Sequence, residues 1–143
     1  MEKLVLAADH GGYELKEIIK NHLPRLGDFE INDLGTNSLE SVDYPDYGKQ
    51  AAKAVAKGQA NRGIIFCGTG IGMSITANKV KGIRAANCTS EIMAEMSRRH
   101  NDANMLVLGG RILEPELAKQ IVKIWLETPF DGGRHEKRIK QIE

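Results

Sequence analysis

The sequence predicts an α/β fold in which five parallel strands form a sheet covered by helices on both faces. Apolar runs of strand length alternate with amphipathic stretches of helical length from one end of the chain to the other. No linker, internal repeat or low-complexity stretch interrupts this alternation. The 143 residues are therefore expected to form one domain, residues 1–143, with a hydrophobic core of its own.

The first half of the chain contains two predicted strands and two predicted helices. Residues 3–8 form a short apolar run, which is typical of a buried strand. Apolar side chains then recur at helical spacing as far as Leu23, and Pro24 is expected to close that helix. Residues 29–34 are predicted as a weaker strand and residues 35–44 as a polar loop. Pro45 can open the next helix, which extends to about residue 57.

The second half repeats the alternation. The predicted strands are residues 63–67, 83–87 and 105–108. A glycine-rich turn after the first of these leads into a helix through Ala77, and Ser90 can cap a helix that runs to about Arg99. Residues 114–127 are predicted as a long amphipathic helix, and residues 134–142 as a short terminal helix.

Charge and composition exclude several classes of partner. The chain has 20 basic and 19 acidic side chains, a net charge of +1, whereas nucleic-acid-binding domains are usually markedly basic. No apolar run approaches the roughly 20 residues that span a bilayer, so no membrane partner is expected. Two cysteines are too few for a disulfide scaffold. A reducing compartment, the cytoplasm, is therefore expected.

Reactive residue types follow three of the predicted strands. In parallel sheets ligands bind beyond the carboxyl ends of the strands. The segments at those positions are residues 9–12, 68–72 and 109–111. The sequence therefore predicts a site at this rim of the sheet.

Cys67 is a candidate catalytic base. A free cysteine is usually a small buried hydrophobic residue, and Cys88 is interpreted in that way. Cys67 differs because it ends a strand directly before a glycine-rich helix start, where backbone N–H groups and the helix dipole favour a thiolate. The same N–H groups can hold an oxyanion. A base beside an oxyanion hole is what proton abstraction next to a carbonyl requires.

The glycine-rich loop after Cys67, residues 68–72, does not fit the usual nucleotide or phosphate loops. Its GxGxG spacing departs from the GxGxxG fingerprint, and it follows the third strand rather than the first. The Gly-Lys-Ser/Thr of a P-loop is absent. A cysteine phosphatase loop would need an arginine soon after the cysteine, and the next one is Arg84. An anion-binding turn and a plain tight turn both remain open.

The Asp9-His10 pair follows the first strand. An aspartate there often caps the next helix, and His10 is either a surface histidine or a ligand contact. The sequence contains neither an HExxH pattern nor a Cys/His cluster. Neither a metal nor a cofactor is therefore expected.

Polar residues near the end of the chain have two interpretations each. His100 and Asn101 begin a polar step that is either a helix stop or the place of a general acid or base. Arg134 and Arg138 share one helix face and are either solvated or, with Arg111, part of a phosphate clamp. His135 and Lys137 lie on other faces and are expected to contact solvent.

Together these motifs resemble the type B ribose-5-phosphate isomerases over essentially the whole chain. The resemblance rests on Asp9-His10-Gly11-Gly12, Asp43-Tyr44-Pro45, residues 67–72, residues 97–104 and Gly132-Gly133-Arg134-His135. It implies a Rossmann-like three-layer sandwich with a five-stranded parallel sheet. It also implies interconversion of ribose 5-phosphate and ribulose 5-phosphate through an enediolate, without metal or cofactor. The expected assembly is a homodimer with active sites at the interface, and a tetramer is left open.

The resemblance also implies roles for individual residues. Cys67 matches the proton-transfer base, in the branch of the family that does not use a glutamate elsewhere. His100 matches the ring-opening residue with Asp9 nearby, and Thr69, which matches a residue lining the pocket, is expected to be the fourth catalytic residue. The expected substrate-binding residues are His10, Tyr44, Gly68, Gly70, Ile71, Gly72, Asn101, Arg111, Arg134 and Arg138. The terminal helix, residues 134–142, is expected to reach a partner subunit.

Other functions are compatible with parts of this pattern. Isomerases of allose 6-phosphate or galactose 6-phosphate belong to the same family, but the related galactose-phosphate subunits tend to lack the His-Asn step and the Gly-Gly-Arg-His tail. A signalling receiver domain would need an aspartate where Cys67 stands. A non-catalytic module that binds a sugar phosphate is a third alternative, which an activity assay separates.

Overall fold

A computed structural model describes residues 1–143 and confirms the predicted α/β class. The strands are Glu2–Ala8 (β1), Phe29–Asp33 (β2), Arg62–Cys67 (β3), Ala85–Asn87 (β4) and Met105–Gly109 (β5). The helices are Tyr13–His22 (α1), Tyr44–Ala56 (α2), Ile71–Asn78 (α3), Glu91–Arg99 (α4), Pro115–Glu127 (α5) and Arg134–Ile142 (α6). None of these helices is long and apolar enough to span a membrane.

The five strands form one parallel sheet in the order β2-β1-β3-β5-β4. The last strand of the chain, β5, thus lies between β3 and β4. In the register of the central strands Ala8 is opposite Phe66, and Cys67 is opposite Gly109. The carboxyl ends of β1, β3 and β5 therefore meet side by side, which brings together the three loops that the sequence singled out.

Both faces of the sheet are buried, because successive strand residues point to opposite sides. Leu4, Leu6 and Ile64 belong to a core with α1, α4 and α5, where the largest buried side chain is that of Trp125. Val5, Ala7 and Ile65 belong to a second core with α2 and α3. The second core is rich in alanine, for example Ala51 and Ala52, so its helices can lie close to the strands.

The largest departure from the predicted elements is at β4, which begins at Ala85 rather than at residue 83. Ile83 is buried and gave the run its apolar character, but its N–H donates to Val80 in a turn. The N–H of Arg84 donates a hydrogen bond to Oδ1 of Asn104 instead of to a neighbouring strand. Smaller differences occur at α1, which ends at His22 with Pro24 in a 3₁₀ turn, and at Tyr44, which belongs to α2 rather than to the preceding loop.

Candidate active site

Three loops pack backbone against backbone at the carboxyl end of the sheet. A Cβ atom added to Gly12 would lie 2.5 Å from Phe66, and one added to Gly110 would lie 2.7 Å from the carbonyl oxygen of Gly11. A Cβ atom on Gly109 would lie 2.7 Å from the Thr69 carbonyl. These contacts are too short for any larger residue, so the glycines fix the loops against each other and give the rim a rigid frame.

Cys67 lies at the centre of this rim. Its Sγ is buried and accepts a hydrogen bond of 3.2 Å from the N–H of Gly70. Gly70 directly precedes α3 and has a φ of +85°, a left-handed conformation that favours glycine. The N–H donor and the amino end of α3 both stabilise negative charge on the sulfur. Cys67 thus packs in the second core and also accepts an N–H donor at its sulfur, which keeps it a candidate base.

Cys88 provides the contrast within the same chain. It is buried in the core beside α4 and α5. Burial raises the pKa of the Cys88 thiol to about 11, although a hydrogen bond with Ser97 opposes this shift. The thiol is therefore protonated at neutral pH, which agrees with its interpretation as a structural residue.

The loop residues after Cys67 offer further polar groups. Thr69 is exposed, and its Oγ1 accepts a hydrogen bond of 3.2 Å from the Ile71 N–H, which leaves the hydroxyl hydrogen available to a ligand. The Tyr44 ring covers Gly72, where a Cβ atom would lie 2.6 Å from it. The loop is therefore open at Thr69 and closed at Gly72 by an aromatic wall.

Asp9 and His10 extend the rim on the side of β1. Asp9 is buried, and its Oδ1 accepts a hydrogen bond of 3.0 Å from the Gly12 N–H at the start of α1. Nδ1 of His10 accepts a hydrogen bond of 3.1 Å from the Val42 N–H. A ring nitrogen that accepts carries no proton, so Nε2 of the neutral ring is a donor. His10 can therefore donate to an anion at this rim.

Arg111 brings a positive charge to the same place. Its guanidinium lies against the glycine loops, since a Cβ atom on Gly11 would be 3.3 Å from Cζ and one on Gly68 would be 3.3 Å from Nη1. The Arg111 N–H donates to the Gly68 carbonyl at 2.9 Å. The structure thus brings together five predicted residues at the rim, namely Cys67, Thr69, Asp9, His10 and Arg111.

His100 and Asn101 lie at the opposite end of the strands from the rim, the amino-terminal end, which we call the far edge. They follow α4, which runs back against the strand direction, and they precede β5. The nearby Asn104 carbonyl accepts a hydrogen bond from Gly63 near the start of β3, whereas Cys67 ends that strand. Four strand steps of about 3.3 Å separate these ends by roughly 13 Å. Within one chain the structure therefore does not bring His100 to Cys67.

The first turn of α6 lies on this second edge. The His135 ring stacks on that of His100, with 4.3 Å between the centroids and 13° between the planes. Arg134 and Arg138 are exposed on the same helix. His100, Asn101, Arg134 and Arg138 thus form a second group, which we call the far-edge group.

The expectation that His135 contacts solvent is wrong, because its side chain is buried. Gly132 and Gly133 both have positive φ angles and turn the chain sharply, so that α6 folds back on the end of α4. Burial, followed by the positive charges of His100, Arg134 and Arg138, holds the pKa of His135 below its ordinary value of 6.5, while Asp131 opposes the shift. Lys137 is exposed, as predicted.

One cluster in the far edge contains metal-binding residue types. His100, Asp131 and His135 offer donor atoms within 4.8 Å of one another. A metal lies in the plane of each imidazole that binds it, and the two ring planes here are nearly parallel and stacked. One metal cannot lie in both planes, so chelation would require one ring to turn. The absence of a metal requirement stays a prediction.

Asn87 is a rim residue that the sequence reasoning missed. It ends β4, and its Nδ2 donates to the Thr69 carbonyl at 3.4 Å. Its Oδ1 is buried without a hydrogen-bond partner. The rule that pointed to the ends of the other strands would have found it, but a polar residue in so short an apolar run gave little signal.

A model of the ribose/galactose isomerase family matches residues 4–142 of the chain. The chain belongs to this family. Ribose-5-phosphate isomerase B of Escherichia coli is 48% identical over 142 residues, which are 99% of this chain and 95% of that protein. D-erythrulose-4-phosphate isomerase of Pectobacterium atrosepticum is 39% identical in an alignment of 146 positions that covers 99% of this chain and 93% of that protein.

Solved structures agree with the family assignment. A ribose 5-phosphate isomerase of Thermotoga maritima superposes with a TM-score of 0.95 at 53% identity, covering 99% of this chain and 97% of that one. Ribose-5-phosphate isomerase B of Mycoplasma genitalium, solved with bound ribulose 5-phosphate, gives a TM-score of 0.93 at 41% identity, covering 98% and 93%. The predicted five-stranded Rossmann-like sandwich is thereby confirmed.

Proposed function

We propose that this chain interconverts ribose 5-phosphate and ribulose 5-phosphate through an enediolate. The observation that carries the proposal is the Cys67 sulfur, which accepts the Gly70 N–H at the amino end of α3. Family membership and the names of the relatives support the reaction and the substrate. A sugar-phosphate isomerase needs a base, an anion-stabilising turn and a phosphate site, and the rim offers candidates for all three.

The proton transfer is assigned to Cys67. The thiolate removes the proton from C2 of the open-chain aldose, and the electron pair moves to the carbonyl oxygen on C1. The thiol then returns that proton to C1 while O2 becomes the carbonyl oxygen and its proton moves to O1. Backbone N–H groups of residues 68–72 stabilise the negative oxygen between the two steps, and the Thr69 hydroxyl can donate to the same oxygen.

Ring opening must come first, because ribose 5-phosphate is mostly a closed furanose. An acid must protonate the ring oxygen while a base removes the proton of the anomeric hydroxyl. His100 and Asp9 are assigned to this step. Asp9 lies beside Cys67 on the rim, but His100 lies on the far edge, so the step needs both edges at one substrate.

A homodimer reconciles this separation. The short strand β4 has an unpaired outer edge, flanked by exposed apolar residues on α3 and α4, namely Ile71, Ile75, Ile92 and Met93. Apolar surface of this kind is typical of subunit interfaces. A twofold axis perpendicular to the strands would place the far edge of one chain beside the rim of the other. Two composite sites per dimer would result, each with one chain's Cys67 and the other chain's His100.

The phosphate would be held by cations from both chains. His10 and Arg111 belong to the rim, and Arg134 and Arg138 belong to the far-edge group across the interface. Charge-assisted hydrogen bonds from arginine to phosphate are strong and directional. Binding of this remote group would orient C1 and C2 against Cys67. Asn101 and Tyr44 are then free to contact the sugar hydroxyls.

The alternatives within the family concern the sugar. The family description includes galactose, and one relative is named for erythrulose 4-phosphate. Allose 6-phosphate and galactose 6-phosphate would place one more carbon between phosphate and carbonyl, and erythrulose 4-phosphate one fewer. A non-catalytic binding module remains the alternative outside the enzymes. The cytoplasm is the expected compartment, in agreement with two free buried thiols.

A substrate panel tests the proposal. Purified protein is assayed with ribose 5-phosphate, allose 6-phosphate, galactose 6-phosphate and erythrulose 4-phosphate, with the Cys67→Ala variant as the blank. The highest kcat/KM is expected for ribose 5-phosphate, unchanged in the presence of EDTA. A higher value for another sugar would reassign the substrate, and binding without turnover of any sugar would contradict an enzyme. If EDTA abolishes the activity and added Zn²⁺ or Mg²⁺ restores it, the metal-free mechanism is overturned.

A further inference from the structure

The stacked pair of His100 and His135 is the feature of the far edge that the proposed mechanism does not yet use. His135 is buried on the first turn of α6, and its ring covers one face of the His100 ring at 4.3 Å. No hydrogen bond between the two side chains accompanies the stack. The contact therefore acts through ring faces, which leaves the edge of the His100 ring, with its nitrogens, free for other partners.

Ring stacking restrains the one torsion that ordinarily leaves a histidine mobile. The torsion between Cβ and the imidazole ring is broad for an unpacked histidine, so an exposed ring samples many planes. A second aromatic ring parallel to the first removes most of that freedom. A proton donor must lie within hydrogen-bond reach of its acceptor, and small misplacements cost large factors in rate.

The surrounding charges also favour a neutral His135. Arg134 and Arg138 face it from its own helix, and His100 and Arg99 belong to the neighbouring end of α4. Two acidic groups are close: Asp131, whose carboxylate is engaged by Arg99 at 3.2 Å, and Glu136, the next residue of α6. Two stacked imidazolium rings would repel each other, so the stack favours a neutral His135.

We propose that His135 is a positioning residue for ring opening, whose stacked ring fixes the plane of the His100 imidazole toward the sugar bound at the partner's rim. This inference rests on the proposed role of His100. It assigns to His135 no contact with substrate. Its function is to hold His100 in the one orientation from which a ring nitrogen reaches the furanose oxygen or the anomeric hydroxyl.

Two substitutions separate stacking from every other property of His135. His135→Phe keeps a flat ring but removes both nitrogens, whereas His135→Ala removes the ring. Single-turnover rates at saturating substrate are measured for ribose 5-phosphate, which must be opened, and for ribulose 5-phosphate, which enters as an open chain. Lys137→Ala, at an exposed position of the same helix, is the matched control for general damage to α6.

The expected pattern is a selective loss with rescue. His135→Ala should lower the ribose 5-phosphate rate by about 10-fold, a fraction of the 10²–10⁴-fold value of general acid–base help. The ribulose 5-phosphate rate should change by less than about 2-fold, and His135→Phe should restore most of the ribose 5-phosphate rate. If the alanine variant does not fold, as judged by circular dichroism, His135→Asn takes its place.

Three outcomes would overturn the inference. Equal losses on both sugars, or a higher KM for both at unchanged single-turnover rates, would mean that His135 only supports the phosphate-binding arginines. Failure of His135→Phe to rescue would mean that a nitrogen, rather than the stack, matters. His100→Asn is run in parallel. If that variant loses aldose activity selectively and His135→Ala does not, the positioning role fails while the proposed function stands; if neither is selective, the ring-opening assignment fails with it.

Discussion

The two edges of the sheet that carry the candidate site are held in place by different means. At the rim, Cys67, Asp9 and Arg111 are positioned by glycine backbones in contact, where an added Cβ atom would meet a neighbour at 2.5 to 3.3 Å. At the far edge, His100 is positioned by helix ends and by the stacked ring of His135, next to a helix that is exposed over most of its surface. The rim has one conformation imposed by the backbone, and the far edge depends on side-chain packing.

This difference matches the two kinds of chemistry assigned to the edges. Stabilising an enediolate needs N–H groups that are already in place when charge develops, which a rigid backbone provides. Ring opening and phosphate capture need groups that approach the substrate from another direction, and α6 can supply these from a second chain. The contrast predicts that loss of the rim base Cys67 affects both directions of the reaction, whereas loss of His100 at the far edge acts selectively on ribose 5-phosphate.

Loss of the Cys67 thiol should have the largest effect. Cys67→Ala should reduce the rate with either sugar by about 10⁴-fold, at the upper end of what a general base contributes, because the C–H proton must move in both directions. The protein should remain folded. Cys88→Ala is the control, since a thiol kept protonated by burial has no part in the reaction.

Steady-state kinetics and circular dichroism on the two cysteine variants check this prediction. Near-full activity of Cys67→Ala would mean that Cys67 is not the base. The two cysteines would then not differ in their roles.

Loss of the His100 imidazole should have the next largest effect, and a selective one. His100→Asn keeps a polar side chain but removes the titratable group, so single-turnover conversion of ribose 5-phosphate should fall by about 10²–10³-fold. Conversion of ribulose 5-phosphate should fall much less, because this sugar cannot close a furanose ring. Equal losses in the two single-turnover rates would show that the far edge acts in proton transfer or binding instead.

Substitution of the rim glycines tests whether the rim is as rigid as the contacts indicate. Gly12→Ala would force a methyl group to within 2.5 Å of Phe66, so the free energy of unfolding should fall by about 3 kcal/mol. Gly82→Ala is the matched control: its φ is +88°, but nothing lies within 4 Å, and the cost should be about 1 kcal/mol from the backbone alone. Urea unfolding measures both, and equal costs would contradict a rim held by contact.

The smallest predicted effect is the pH dependence that His135 confers. Because the native pKa of His135 is lowered from 6.5, the unfolded chain takes up a proton at higher pH than the native protein does. The free energy of unfolding should therefore fall as the pH drops below about 6.5, until the native pKa is passed. His135→Phe removes this contribution and should flatten the curve in that window, while Lys137→Gln should keep the original slope. Urea unfolding at a series of pH values tests the difference, and an unchanged slope in His135→Phe would contradict it.

Most of the rim could be predicted from the sequence, because each of its residues follows an apolar strand directly. Asp9, Cys67 and Arg111 needed only the rule that ligands bind at the carboxyl ends of parallel strands. The order of the strands was not predictable in the same way: nothing in residues 105–109 indicates that β5 pairs with β3 and leaves β4 at the edge.

The far edge was harder to predict for a physical reason. The place of His100 depends on the direction in which α4 returns, and that of His135 depends on a turn made by two glycines with positive φ. The sequence of residues 134–138 is typical of a solvated, highly charged helix. Nothing in it indicates that His135 is buried. Long-range packing, rather than periodicity, decides both positions.

The most direct test of the account is whether one active site takes Cys67 from one chain and His100 from the other. Cys67→Ala and His100→Asn chains with different affinity tags are co-expressed, and the mixed dimer is purified over both tags. One of its two sites would then be intact, so about half of the wild-type activity on ribose 5-phosphate is expected. A mixed dimer of Cys67→Ala with Asp9→Asn, both rim substitutions, should stay inactive on ribose 5-phosphate. Activity of the first mixed dimer no higher than that of its two parents would place both residues in the site of a single chain and contradict the account.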